Sequence, residues 1–441
     1  MIPRAALLAV LLPCAVVIAA PPAGAVTMLA AAPRALLDAT DPLVPTEWWR
    51  ADVHVDTLTP PGPGVPVTIV DSGVSFGHPE FVGRPNLIAL NNQEPAPLGG
   101  VHGTAVASVV GAPVNGVGVV GIYPTSIIRT YDASLGDGTR LPASDIAAGI
   151  VAAAKAGRSV INLSLGSAQP DAGIDAAIAQ AVRLGSLVVA ASGNSGEEGS
   201  PPSYPAVDKH VFTVAATDQS DLPASFSSRS DSVDIAAPGV GIEVATALDN
   251  SWGPEDGTSF SSPMVAGAAA WLWTVRPDLN ADQVAQILRK SARDVAAPGY
   301  DTATGYGILD LAAALAAPTP RSDTAEPNDD AATASTVTSR LHPVGKTSGR
   351  VDRFEDPRDV LKVWLPGRKR FVVSAASVTG VNLVLDEGGI ATANRVASSL
   401  KKGVTTTLTY LNRKVGRWAY LVVTPFMGSR NAEYTASIAA K

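Results

Sequence analysis

From Val65 to Ala316 the chain keeps returning to one pattern, a short apolar run followed by an Ala-rich stretch. Val67 to Asp71, Ser126 to Tyr131, Val160 to Ser164 and Leu187 to Ala191 are apolar almost throughout, so as strands they have no face to give to water and must be covered on both sides. Between them lie His102 to Gly111, Ser144 to Gly157 and Asp171 to Gly185. The last two start at Ser or Asp and stop at Gly, as helix boundaries prefer. Strands buried on both faces and alternating with helices restrict this region to an α/β fold with a doubly wound, mostly parallel sheet. Ligands of such a sheet sit beyond the carboxyl ends of its strands.

The texture changes after Ala317. Pro318-Thr319-Pro320 and the acidic Glu326-Pro327-Asn328-Asp329-Asp330 make a linker. Val360 to Trp364, Arg370 to Ala375, Val381 to Leu385, Thr405 to Leu411 and Trp418 to Val423 then alternate or are β-branched, with turn residues between them. This is the pattern of a small all-β sandwich. The expected organisation is an export signal over 1–25, an N-terminal extension over 26–60, an α/β domain over 61–317, a linker over 318–330 and the sandwich over 331–441.

Two features narrow the chemistry. Cys14 is the only cysteine and lies inside the apolar N-terminal run, so a chain cut after Ala25 has no thiol and can use neither a disulfide nor a cysteine nucleophile. Arg4, the apolar stretch to Ala20 and the small residues Ala23-Gly24-Ala25 have the form of a secretory signal. A stretch broken at Pro13 is short of the roughly 20 residues a membrane-spanning helix needs. The chain is therefore expected to be secreted, without a transmembrane anchor, and extracellular or held at the cell wall.

Charge is divided unevenly. Val26 to Ser339 carries a net −18, and Arg340 to Lys441 a net +10. A basic tail on an acidic body either docks on that body, meets an anionic cell-surface partner, or is simply a solvated face.

Three residues stand where a parallel sheet would gather them. Asp71 ends the first strand; His102 opens a helix in His102-Gly103-Thr104; Ser259 opens another in Gly257-Thr258-Ser259. A serine hydroxyl becomes a nucleophile when an imidazole takes its proton, and a carboxylate fixes the imidazole tautomer and stabilises its cation. Asn194, in Ser192-Gly193-Asn194, is placed to donate to an oxyanion beside the Ser259 N–H, at a helix N-terminus that favours the same charge.

The order Asp, His, Ser, with Val-Asp71-Ser-Gly, His102-Gly-Thr-Ala-Val-Ala-Ser and Gly-Thr-Ser259-Phe-Ser-Ser-Pro-Met-Val-Ala-Gly, resembles the subtilisin-like serine proteases over about 250 residues. The resemblance implies a secreted serine endopeptidase that acts on protein or peptide substrates through an acyl-enzyme on Ser259, with Asp71, His102 and Ser259 as triad and Asn194 as oxyanion donor. It also implies that Ser164-Leu165-Gly166 and Ala191-Ser192-Gly193 line the primary pocket, and that Gly136-Asp137-Gly138 offers an edge to which an extended peptide adds as a strand. Ser203-Tyr204-Pro205 is expected to close the pocket, and Asp132 and Asp137 to favour basic peptides. The rival expectation is a catalytically silent relative whose basic β-domain binds a surface. The linker and β-domain resemble the sandwich appended to many secreted bacterial proteases.

Gly116-Val117-Gly118-Val119-Val120-Gly121 satisfies a dinucleotide-binding pattern, yet it follows a helix and precedes a strand, the reverse of what a pyrophosphate requires. No nucleic acid or nucleotide is expected, and no cofactor is required. In the resembling family this loop often holds a structural calcium, with Asn115 and Glu80 at the matching positions; surface-loop packing is the alternative. Ala105 and Ser108 depart from the family's usual residues after the His, and a folding prodomain is expected to be missing.

Overall fold

The computed structural model describes residues 41–92, 101–135, 140–295, 298–320, 328, 331, 333–352, 358–400, 404–426 and 431–441. Residues 1–25, expected to be an export signal, lie outside the described residues, as do Gly136, Asp137, Gly138 and most of the linker.

The first region runs α1 (Trp49–Asp52), β1 (Val67–Asp71), β2 (Leu87–Ala89), α2 (Val101–Gly111), β3 (Ile128–Asp132), α3 (Ala143–Lys155), β4 (Val160–Leu163), α4 (Ala172–Arg183), β5 (Leu187–Ala191), β6 (Val211–Thr217), β7 (Val233–Pro238), β8 (Ile242–Thr246), β9 (Ser251–Glu255), α5 (Thr258–Val275), α6 (Ala281–Ser291) and α7 (Leu311–Ala316). A seven-stranded sheet in the order β2-β3-β1-β4-β5-β6-β7 is parallel at every pairing. Every residue of β1, β4, β5 and β6 is buried, which is why those segments are apolar without alternation. One face packs on α2 and α5, through Val106, Val110, Met264 and Ala268 among others; the opposite face packs on α3 and α4 through Ile146, Ile150 and Ile178. From β1 the chain builds outward to β3 and then returns to place β4 on the other side. The crevice beyond the carboxyl ends of β1 and β4 is therefore the topological switch point where ligands bind.

Residues 41–58 run along this body, with Trp49, Val53 and Val55 completing the core on the α2 and α5 side.

The second region comprises β10 (Ser335–Thr336), β11 (Gly345–Asp352), β12 (Asp359–Leu365), β13 (Arg370–Ala376), β14 (Val381–Asp386), β15 (Arg395–Ser399), β16 (Thr405–Leu411), β17 (Arg417–Pro425) and β18 (Asn431–Ala440). They form a five-stranded sheet, β10-β12-β17-β14-β15, and a four-stranded sheet, β11-β18-β13-β16, whose inner faces share one core containing Leu361, Val363, Phe371, Leu421 and Ile438. Four of these strands, β10, β11, β15 and β18, are additions to the five legible in sequence. Their segments are polar or Ala-rich, and only cross-strand pairing makes them strands. The two regions touch at α6, where Arg350 donates to Gln286 (3.1 Å), and His210 lies 3.5 Å from Thr333.

Candidate active site

Asp71 ends β1 with its side chain 2% exposed, and α2 starts directly opposite it. The approach is close because residue 103 is glycine: a Cβ there would stand 2.0 Å from the Gly73 carbonyl oxygen. His102 Nδ1 consequently reaches both carboxylate oxygens of Asp71, at 2.9 and 3.0 Å, with the imidazole 40% exposed toward the cleft. The carboxylate is itself held in place, since Asp71 Oδ1 also accepts from the Ser72 N–H at 2.7 Å. The Asp71 charge raises the His102 pKa above its ordinary value; burial opposes this, and Glu255 adds to it.

Ser259 is the second residue of α5. Pro263 lies four residues on and has no N–H, so the Ser259 carbonyl loses its intrahelical partner. The Ser164 hydroxyl donates to that carbonyl instead, at 2.8 Å. Ser164 is itself held by Asn162 Nδ2 (2.9 Å), and Asn162 Oδ1 accepts from the Ser262 hydroxyl (2.7 Å). The first turn of α5 is thus tied to the end of β4 by a buried polar chain. Sequence reasoning missed this chain, although its signal was visible: Asn162 is the one polar residue in Val-Ile-Asn-Leu.

Asn194 follows β5. Its Oδ1 accepts from the Thr258 N–H (3.0 Å) and the Thr258 hydroxyl (2.8 Å), which commits the amide oxygen to the helix start and leaves the Nδ2 donor for the cleft. Phe260, the residue after Ser259, stands beside the imidazole, ring centroids 6.1 Å apart. The Ser259 hydroxyl makes no hydrogen bond among the described residues; catalytic hydrogen bonds are often loose without substrate.

A cavity of about 300 Å³ opens beside Ser259 and Asn194. Ser164, Leu165, Gly166, Ala191 and Gly193 are among the residues lining it, together with Pro201, Pro202 and Ser203. Ser192 does not line it: the residue is 5% exposed, and its N–H is turned to the Val214 carbonyl. Asp132 is a second correction. Its carboxylate is buried and accepts from the Ser134 N–H and hydroxyl at 2.9 and 2.6 Å, so the pocket wall carries no charge from it. Gly136 and Asp137 lie outside the described residues.

The loop after α2 is packed by acids. Asp41 Oδ1 accepts from the Asn115 and Gly116 N–H groups, Glu47 Oε1 from Val120, and Glu80 Oε2 from Val119 and the Trp252 indole. Burial pushes Glu47 up to about 8 and Glu80 to about 7. Calcium takes roughly six to eight oxygens. Here the loop meets the carboxylates with N–H donors; of the buried acid oxygens beside it, Glu47 Oε2 lies 3.6 Å from the Arg50 guanidinium and Glu80 Oε1 has no hydrogen bond among the described residues. That set does not fit the ion, and the chemistry below is derived without one. Ser108, a departure from the family pattern, ties α2 to β8 by accepting from the Ala245 N–H at 3.0 Å.

The comparisons with known proteins agree with this geometry. The sequence profile of Peptidase_S8, the subtilase family, matches residues 62–307. The chain is 37% identical to "Subtilisin BL" of Lederbergia lenta, over 57% of this chain and 91% of that protein. It is 36% identical to "Alkaline elastase YaB" of Bacillus sp. (strain YaB), over 57% and 65%. Among solved structures it is similar to "S41 Psychrophilic Protease", with TM-score 0.51 and 29% identity over 59% of this chain and 96% of that one. It is also similar to a protease from Pseudoalteromonas arctica PAMC 21717, with TM-score 0.54 and 25% identity over 63% and 98%. A seven-stranded parallel sheet, an acid–imidazole pair at its switch point and a family match over residues 62–307, more than half of the chain, place this chain in the subtilase family of serine proteases.

Proposed function

We propose that the protein is a secreted serine endopeptidase in which Ser259 is the nucleophile, His102 the base and then the acid, Asp71 the group that fixes the imidazole, and Asn194 the oxyanion donor. The observation that carries the reading is the contact of His102 Nδ1 with both Asp71 oxygens, on an imidazole that stands beside Phe260 of the first turn of α5. His102 takes the Ser259 proton as the oxygen attacks the scissile carbonyl. The tetrahedral oxyanion is met by Asn194 Nδ2 and the Ser259 N–H at the positive end of α5. His102 then gives its proton to the leaving amine, and water repeats the cycle on the acyl-enzyme.

The pocket-lining residues are uncharged, which supports a neutral, medium-sized side chain on the acyl side of the cleaved bond. The N-terminal signal pattern supports export, and among the described residues no helix is long and apolar enough to cross a membrane. A fluorophosphonate probe should label the folded protein, and Ser259→Ala should abolish the labelling. Absence of labelling on folded wild type would favour a catalytically silent, surface-binding relative.

A further inference from the structure

The outer face of the five-stranded sheet carries side chains that proteolysis does not use. In the β12–β17 register Lys362 stands opposite Tyr420, and Trp364 opposite Trp418, while Leu361, Val363, Leu365, Ala419 and Leu421 point into the sandwich core. Two indoles on an outer sheet face are unusual cargo. They meet edge to face, centroids 5.4 Å apart, and Trp418 is 39% exposed. Each is paired with a cation: the Arg340 guanidinium lies 5.2 Å from the Trp364 ring and the Lys362 ammonium 5.2 Å from the Trp418 ring. Trp364 settles against the chain because residue 416 is glycine; a Cβ there would come within 2.7 Å of its ring.

Beside the indoles lie the turns joining β12 to β13 and β16 to β17. Asn412, fully buried, locks them together: its Nδ2 donates to the carbonyls of Leu365, Pro366 and Val415, and its backbone N–H to that of Lys369. Arg368, Lys369, Arg413 and Lys414 project from these fixed turns and stay exposed with the α/β region in place, so the acidic body does not cover them. The acid beside them, Glu387, is already bonded to Arg417 and the Tyr410 hydroxyl and lies 3.8 Å from Lys414.

We propose that this face binds an anionic glycan. The turn cations pair with its carboxylate, sulfate or phosphate groups, and Trp418 packs against the C–H face of a sugar ring. Charge complementarity selects the class, because the segment from Arg340 onward carries a net +10. The ring geometry disfavours nucleic acid: Trp364 is 9% exposed, which leaves Trp418 as a single open ring on this face, and no row of ring faces is offered for successive bases to stack on. The proposal is independent of the catalytic reading and fails or stands apart from it.

The test uses the full chain, with heparin, neutral dextran and a single-stranded DNA oligonucleotide as probes, read by calorimetry and intrinsic tryptophan fluorescence. Heparin should bind and neutral dextran should not. The variant R368A/K369A/R413A/K414A should weaken heparin roughly tenfold or more while hydrolysing a small peptide at the wild-type rate. Trp418→Ala should weaken it further, and Trp418→Phe should remove most of the fluorescence change. Failure of wild type to bind heparin, or equal binding by the four-cation variant, overturns the proposal. DNA bound as tightly as heparin replaces the glycan with nucleic acid, and heparin affinity untouched by Trp418→Ala removes the stacking contact.

Discussion

The two halves of this chain are built on opposite uses of a sheet. In the α/β region every strand of the middle of the sheet is covered by helices on both faces, so its sequence is apolar without rhythm, and the only chemically open places are the strand ends. In the sandwich β13 and β16 have one dry and one wet face and alternate buried and more exposed residues, while β12 and β14 are covered almost throughout, so the chemistry available to it lies on the open parts of its faces and on turns. A covered sheet concentrates function into one crevice where three elements converge; a half-open sheet spreads it across a surface. The difference explains why the first half carries an acid–base pair and a pocket, and the second a basic, aromatic face.

That contrast can be broken or sharpened by measurement. The largest effect belongs to Ser259→Ala, expected to lower kcat about 10⁶-fold, the size known for subtilisin itself, with heparin binding by the sandwich unchanged. Loss of both together would show that the halves are not separate in function. Asn194→Leu should cost about 100- to 1,000-fold in kcat with little change in KM, again the magnitude known for subtilisin, because the donor acts on charge present only in the transition state. Equal losses in kcat and binding would instead mark Asn194 as a pocket residue. In the sandwich, Leu421→Ala empties a fully buried site and should cost about 2–5 kcal/mol. Calorimetry should then show an early transition while peptide hydrolysis at 25 °C persists; a single shared transition would contradict independent cores.

The two smallest effects are titrations in the α/β region. Glu47 is raised to about 8 in the fold from 4.5, so the native state holds a proton that the unfolded chain releases, and stability falls as pH rises between those values. Glu47→Gln keeps the acceptor for Val120 and should flatten that fall, seen as a higher Tm than wild type at pH 8 and little difference at pH 5. For His102, whose pKa Asp71 and secondarily Glu255 raise, the neutral base is needed for attack, so kcat/KM rises with pH through that pKa. The imidazolium–Asp71 attraction itself stabilises the fold at low pH and is lost as pH rises through the same value. Glu255→Gln should move the activity limb to lower pH without changing its plateau.

Much of the site is legible in the amino-acid order alone. Asp71, His102 and Ser259 each sit at an element boundary that local pattern reveals, and glycines mark where backbone must approach. What is not legible depends on partners remote in sequence. Ser192, adjacent to pocket-lining Gly193, turns away because its N–H completes the pairing with β6, and Asp132 is engaged by Ser134. The role of Ser164 follows from a carbonyl freed by Pro263, nearly 100 residues away. Strand β18 exists because β11 and β13 flank it, not because Asn431 to Ala440 has a strong strand preference.

The sequence by itself determined the fold class, the order of the acid, base and hydroxyl, and the opposite charges of the two halves, since these follow from composition and short-range periodicity. Tertiary structure decided which polar groups face the cleft and which are consumed inside, and it brought Trp364, Trp418 and two basic turns onto one face. The reason is that a hydrogen-bonding group has no fixed role until its partner is chosen, and in a parallel sheet or a sandwich that partner comes from a distant strand.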